Sequence, residues 1–185
     1  NPLIDMTVAR RYAKALLTMG KEDDHYKEYG EGLSGFAHLL EREPELKDAL
    51  LNPIHSREDR RKLLLRMIDL LQLPPMVSNL LQLLLDKHRL NVVDGVAQAY
   101  QEMVDEVENV KRAKIKTAIY LDDATQDQLR KTLEKLTGST VVMEVQEDPS
   151  IIGGVVAKVG DLVLDGSVRS QIDSLRESLI KGEVL

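Results

Sequence analysis

A chain of 185 residues with 43% hydrophobic and 30% charged side chains carries enough apolar surface for a core and lacks the depletion that marks disorder. Aromatics are only 3%, with no Trp and the single Phe36, so the core must be aliphatic and recognition by base stacking is disfavoured. Net charge is −6 with no cysteine, and the parts up to and after Asp105 hold 14 basic against 17 acidic and 11 against 14 residues. Neither part has the basic excess that a phosphate backbone or anionic membrane requires, and disulfides and thiolate chemistry are excluded.

The first residues, Asn1 to Met6, show no charged-then-apolar signal pattern. The most apolar stretch, Met76 to Leu85, is too short for a bilayer and is interrupted by Ser78, Asn79 and Gln82. From Met6 to Val110 the pattern is helical. Val8, Tyr12 and Leu16, with Ala9 and Ala13 beside them, recur at i and i+4 on a first helix that Gly20 is expected to end. A second helix from His25 to Glu41 contains Gly30, Gly32 and Gly35, each costing about 1 kcal/mol relative to Ala, so packing through Leu33, Phe36, Ala37 and Leu40 must hold it.

A short helix is expected over Pro44 to Leu51, stopped by Pro53, and Ser56 with Asp59 reads as a capping box opening the next. Leu63, Leu64, Met67, Ile68 and Leu71 give that fourth helix its apolar stripe before Pro74 and Pro75 end it. In the fifth, Met76 to His88, leucines and Val77 occupy nearly every side, as expected for a helix central to a bundle or partly covered by a partner. The sixth carries Val93, Val96, Ala97, Tyr100, Val104 and Val107.

Near Lys111 the period changes, and Ile115 to Leu121 alternates as a strand, which places a domain boundary there: residues 1–110 and 111–185. Thr125 with Gln128 reads as a second capping box, Leu129, Leu133 and Leu136 as a helical face, and Gly138 as its C-terminal cap. Val141, Met143 and Val145 alternate as a strand, Gly160-Asp161 suits a tight hairpin between Val155–Val159 and Leu162–Leu164, and Val168, Ile172, Leu175 and Leu179 trace a last amphipathic helix. The fold class is therefore α plus α/β: a six-helix N-terminal bundle followed by a small C-terminal α/β domain.

No residues assemble into a catalytic or cofactor site. Gly153-Gly154 lacks the Gly-Lys-Ser/Thr of a phosphate loop and leads into a strand, so the glycines read as a bulge or close backbone approach. His25, His38, His55 and His88 lack ligand spacing, which predicts no metal, and the acidic pairs Asp23-Asp24 and Asp122-Asp123 suit helix starts. The small-residue stripe Ala9, Tyr12, Ala13 and Leu16 and the over-apolar fifth helix leave two readings open, core packing and a groove for a partner helix. A small nucleic-acid or ribosome-associated factor is the alternative from another class, with the missing basic patch and stacking aromatics against it.

The run Thr7-Val8-Ala9-Arg10-Arg11-Tyr12-Ala13-Lys14-Ala15-Leu16 resembles the opening helix of the delta (oligomycin-sensitivity-conferring) subunits of F-type ATP synthases. Lys87-His88-Arg89-Leu90-Asn91 resembles the family's linker between its fifth and sixth helices. Asp148-Pro149-Ser150-Ile151-Ile152-Gly153-Gly154, continuing to Asp165-Gly166-Ser167, resembles its D-P-x-L-I-G-G and D-x-S segments. The resemblance implies a non-catalytic stator subunit without a cofactor, peripheral at the cytoplasmic face of a bacterial inner membrane or the organelle equivalent. Its implied partners are the N-terminal helix of an alpha subunit and the C-terminal ends of b subunits. It places the alpha-subunit groove at Ala9, Tyr12, Ala13, Leu16, Leu80, Leu84 and His88, and makes Ile172, Leu175 and Leu179 candidates for the stalk contact.

Overall fold

The computed structural model describes residues 2–151 and 153–166, and the chain divides between Val107 and Glu108 into two compact units. The first unit is helical: α1 (Pro2–Glu22), α2 (Tyr26–Arg42), α3 (Pro44–Leu51), α4 (Arg57–Leu70), α5 (Pro75–Asp86), a 3-10 turn (Leu90–Val92) and α6 (Val93–Val107). The second contains β1 (Val110–Thr117), α7 (Asp123–Thr137), β2 (Thr140–Glu147), β3 (Val155–Val159) and β4 (Leu162–Asp165), and its strands form one sheet in the order β2-β1-β3-β4.

One apolar cluster holds the first unit together. Leu33, Phe36 and Leu40 bury the face of α2 left by its glycines, so burial worth about 1.5–3 kcal/mol per large side chain outweighs the weak propensity of that helix. Tyr100 of α6 is fully buried, and its hydroxyl donates to the Tyr26 carbonyl at 2.8 Å, tying α6 to the start of α2. A Cβ on Gly30 would lie 3.2 Å from the Tyr100 ring, so the bare backbone of α2 is what lets that ring approach so closely.

Helix ends are settled by specific bonds. The Ser56 hydroxyl accepts from the Asp59 amide at 3.1 Å and donates to the Asp59 carboxylate at 2.7 Å, so the expected cap of α4 is present. Gly20 does not end α1. The helix runs to Glu22 and stops where Asp24 takes a positive φ of 61° and the His25 amide donates back to the Gly20 carbonyl at 3.0 Å. Gly20 serves packing instead, because a Cβ there would stand 2.8 Å from the Tyr26 Cα.

In the second unit the expected Thr125–Gln128 capping box is displaced: Asp122 is the N-cap of α7, and its carboxylate accepts from the Thr125 amide at 2.8 Å. Gly138 closes the helix with φ 65°, as its position suggested. β1 is also displaced towards the N-terminus relative to the expected Ile115 to Leu121. It ends at Thr117, whose hydroxyl bonds the Ile119 carbonyl at 2.9 Å in a turn that leaves Ile119 and Tyr120 exposed. β1 pairs in parallel with β2 and antiparallel with β3, and the β3–β4 hairpin turns through Gly160 and Asp161 with Gly160 at φ 59°. Ala113, Ile115, Leu133, Val141, Ala157 and Val159 form this unit's own core on the α7 side of the sheet. The expected last helix, with Val168, Ile172, Leu175 and Leu179, lies outside the described residues.

Candidate functional site: the surface between the first and fifth helices

Six of the seven groove residues named from the sequence meet in the first unit's core. Ala9, Ala13 and Leu84 are wholly buried, Leu16 nearly so, Leu80 lies at the buried margin, and Tyr12 is half-buried against them. The partner that the small residues admit is a helix of this same chain: Gly95 of α6 approaches so closely that a Cβ on it would come 3.2 Å from the Ala9 Cβ. Core packing, one of the two readings left open by the sequence, therefore accounts for Ala9 and Ala13.

His88 stands apart, exposed just after α5 with φ 54°. Its amide donates to the Leu85 carbonyl at 3.1 Å and the Arg89 amide to the Leu84 carbonyl at 2.8 Å, the paired bonds of a Schellman end with His88 as its left-handed residue. The turn aims Arg89 back at α1, where its guanidinium donates to the Tyr12 hydroxyl at 3.3 Å. Tyr12 and the end of α5 are thus fastened across the surface between the two helices. Leu83, 43% exposed, is an outward-facing leucine of α5 that sequence reasoning could not select, because the leucines of that helix occur on every side.

Flanking charges fix the helices around this surface. Asp86, at the end of α5, accepts from Arg57 at 2.9 Å with Arg61 at 3.8 Å, and the Arg57 hydrogen bond holds its carboxyl below the usual range. Arg10 pairs with Glu102 at 3.2 Å and Lys47 with Asp94 at 2.9 Å, exposed bridges worth little individually. At the far end of α1, Tyr29 donates to Asp23, an interaction that pushes its phenol up to about 12 and lowers the Asp23 carboxyl.

Nothing else converges into a chemical site among the described residues. No group of three or more histidines and carboxylates could hold a metal ion, and no helix is long and apolar enough to cross a membrane. An open cleft of about 380 Å³ between α7 and β2 is lined by Asp123, Gln126, Asp127 and Arg130 opposite Val141 to Met143, and its cation is already engaged by Asp127.

The geometry is that of a partly exposed surface over a packed helical core, and comparison with known proteins gives it a setting. The family model described as ATP synthase delta (OSCP) subunit matches residues 8–179. The chain is 43% identical over 176 residues to ATP synthase subunit delta of Desulfosudis oleivorans, covering 95% of this chain and 96% of that protein. To ATP synthase subunit delta of Solidesulfovibrio magneticus it is 46% identical over 178 residues, covering 95% and 97%. Its fold matches a chain in the cryo-EM structure of the Toxoplasma gondii mitochondrial ATP synthase hexamer with a TM-score of 0.73 at 22% identity, covering 93% of this chain and 97% of that one. Matched from end to end at this level of identity, the chain belongs to the ATP synthase delta (OSCP) subunit family of non-catalytic stator subunits.

Proposed function

We propose that this chain joins the alpha/beta catalytic head of an F-type ATP synthase to the b subunits of the peripheral stalk, so that the head resists rotor torque during ion-driven ATP synthesis. The observation that carries the reading is the family match across residues 8–179, which takes in both units. In this reading the first unit is a six-helix bundle that receives the N-terminal helix of an alpha subunit, and the second unit, with Ile172, Leu175 and Leu179, takes the C-terminal ends of the b subunits. The protein then sits peripherally at the cytoplasmic face of a bacterial inner membrane, held there through the complex.

Burial divides the groove residues by task. Ala9, Ala13, Leu16 and Leu84 serve as its floor, Leu80 as its margin, and Tyr12 and His88 carry the surface an incoming helix covers. Two contacts, to head and stalk, restrain the joint better than one, because the second forms at the effective concentration set by the first. Calorimetric titration of the full chain with a synthetic N-terminal peptide of the cognate alpha subunit tests the groove. One-to-one binding that Tyr12→Ala weakens by about tenfold is expected for a central anchor. Unchanged affinity in a folded Tyr12→Ala variant would remove the groove from this surface.

A further inference from the structure

One face of the second unit's sheet sets two lysines against each other with no ion-pair partner for either among the described residues. Alternation along β1 turns Ala113, Ile115 and Thr117 inward and leaves Arg112, Lys114 and Lys116 exposed on the opposite face. From β3, Lys158 joins them, directly opposite Lys114 in the antiparallel register. Like charges facing each other across strands are destabilising, with Cβ atoms about 4.5–5.5 Å apart. Lys116 is answered by Asp148 at 3.2 Å, whereas Lys114 and Lys158 have no ion-pair partner among the described residues. Glu144, level with Lys114 on β2, makes no salt bridge with it, and Asp165 on β4 is the other acid among the described residues of this face. Val142 and Val163, 45% and 56% exposed, flank the lysines on β2 and β4.

We propose that this face docks an acidic amphipathic helix of a partner protein, with one carboxylate seated between Lys114 and Lys158 and apolar side chains on Val142 and Val163. The span from β2 to β4 is three strand spacings, about 14 Å, which accommodates a helix about 10–12 Å across lying along the strands. A carboxylate between the two ammonium groups converts their mutual repulsion into two attractions. A nucleic acid is a poorer match, because the face has no aromatic side chain for stacking and the whole chain carries −6. A uniformly anionic lipid surface would meet Glu144 and Asp165 along with the cations. The inference stands on the charge pattern of the second unit and goes beyond the stalk assignment, since it names the chemistry of the docked side chain.

Fluorescence anisotropy on the full chain at low ionic strength tests it, using a labelled designed helical peptide with leucines on one flank and glutamates along its centre, and a copy with glutamine in their place. The glutamate peptide should bind, the glutamine copy should bind at least about tenfold more weakly, and Lys114→Glu with Lys158→Glu should erase the difference while circular dichroism stays native. Glu144→Gln, which removes an opposing carboxylate without touching the lysines, should tighten binding of the glutamate peptide. Equal binding of the two peptides, or no effect of the double variant, would overturn the proposal. So would a double variant that loses sedimentation with phosphatidylglycerol vesicles but keeps the peptide.

Discussion

Asp24, Gln72 and His88 each hold a left-handed backbone conformation at the end of a helix, at φ 61°, 49° and 54°. For a residue with a Cβ that conformation costs about 1–2 kcal/mol, and the bonds it allows at the helix end offset it. After α4, the Gln72 amide reaches the Asp69 carbonyl at 3.2 Å and the Leu73 amide reaches the Ile68 carbonyl at 3.1 Å. Gln72→Gly should therefore raise stability by about 1 kcal/mol, read as a later urea midpoint at unchanged slope. Gly20→Ala should do the reverse. The new Cβ would press on the Tyr26 backbone at 2.8 Å, and overpacking of about 1–3 kcal/mol exceeds the helix propensity gained. The same two sites show what a single sequence conceals. Glycine is the usual sign of a helix end, yet here a glycine lies inside α1 for close packing while aspartate, glutamine and histidine make the turns, because stop geometry tolerates side chains when the flanking bonds are good.

At the scale of elements, patterns with several agreeing signals were legible and those with one were not. The fourth helix announced itself by Ser56, Asp59 and a leucine stripe, and α4 begins where those residues place it. Ser56→Ala removes the cap and should cost about 1 kcal/mol of stability in chemical denaturation. β1 begins several residues before the strand that the sequence predicts, because its inward residues Ala113, Ile115 and Thr117 are separated by Arg112, Lys114 and Lys116, and a run of cations obscures alternation that burial reveals. Two signals compete at the start of α7: Thr125 with Gln128 reads as a capping box, but the helix begins at the acidic pair Asp122-Asp123, which suits a helix start, and the bond that makes Asp122 the cap is visible only in three dimensions. Hydrogen bonds from Thr125, the side-chain one first, hold the Asp122 carboxyl below its ordinary value. A carboxyl lowered in the folded state contributes stability above its unfolded pKa and loses it as pH falls through the folded one. Asp122→Asn should therefore be less stable than the parent at neutral pH, with the two urea midpoints converging below about pH 4.

Over the whole molecule, the sequence carried the chain's composition, its helical first part and its family, whereas which groove residues face outward depended on how the helices pack. Ala9 cannot be told from a docking residue until Gly95 of α6 is seen against it, nor Ala13 until its full burial in the core is seen. Leu83 could not be told from its buried neighbours until α5 was oriented by the core. An adaptor between head and stalk needs two independent contact surfaces on one chain. The most direct test uses catalytic heads stripped of their delta subunit, mixed with soluble b subunits and either the full chain or a chain ending at Val107, and asks by co-sedimentation whether b travels with the head. The full chain should bring b onto the head, and the shortened chain should occupy the head but leave b behind. Association of b with the head to the same extent with the shortened chain, or with no chain at all, would contradict it.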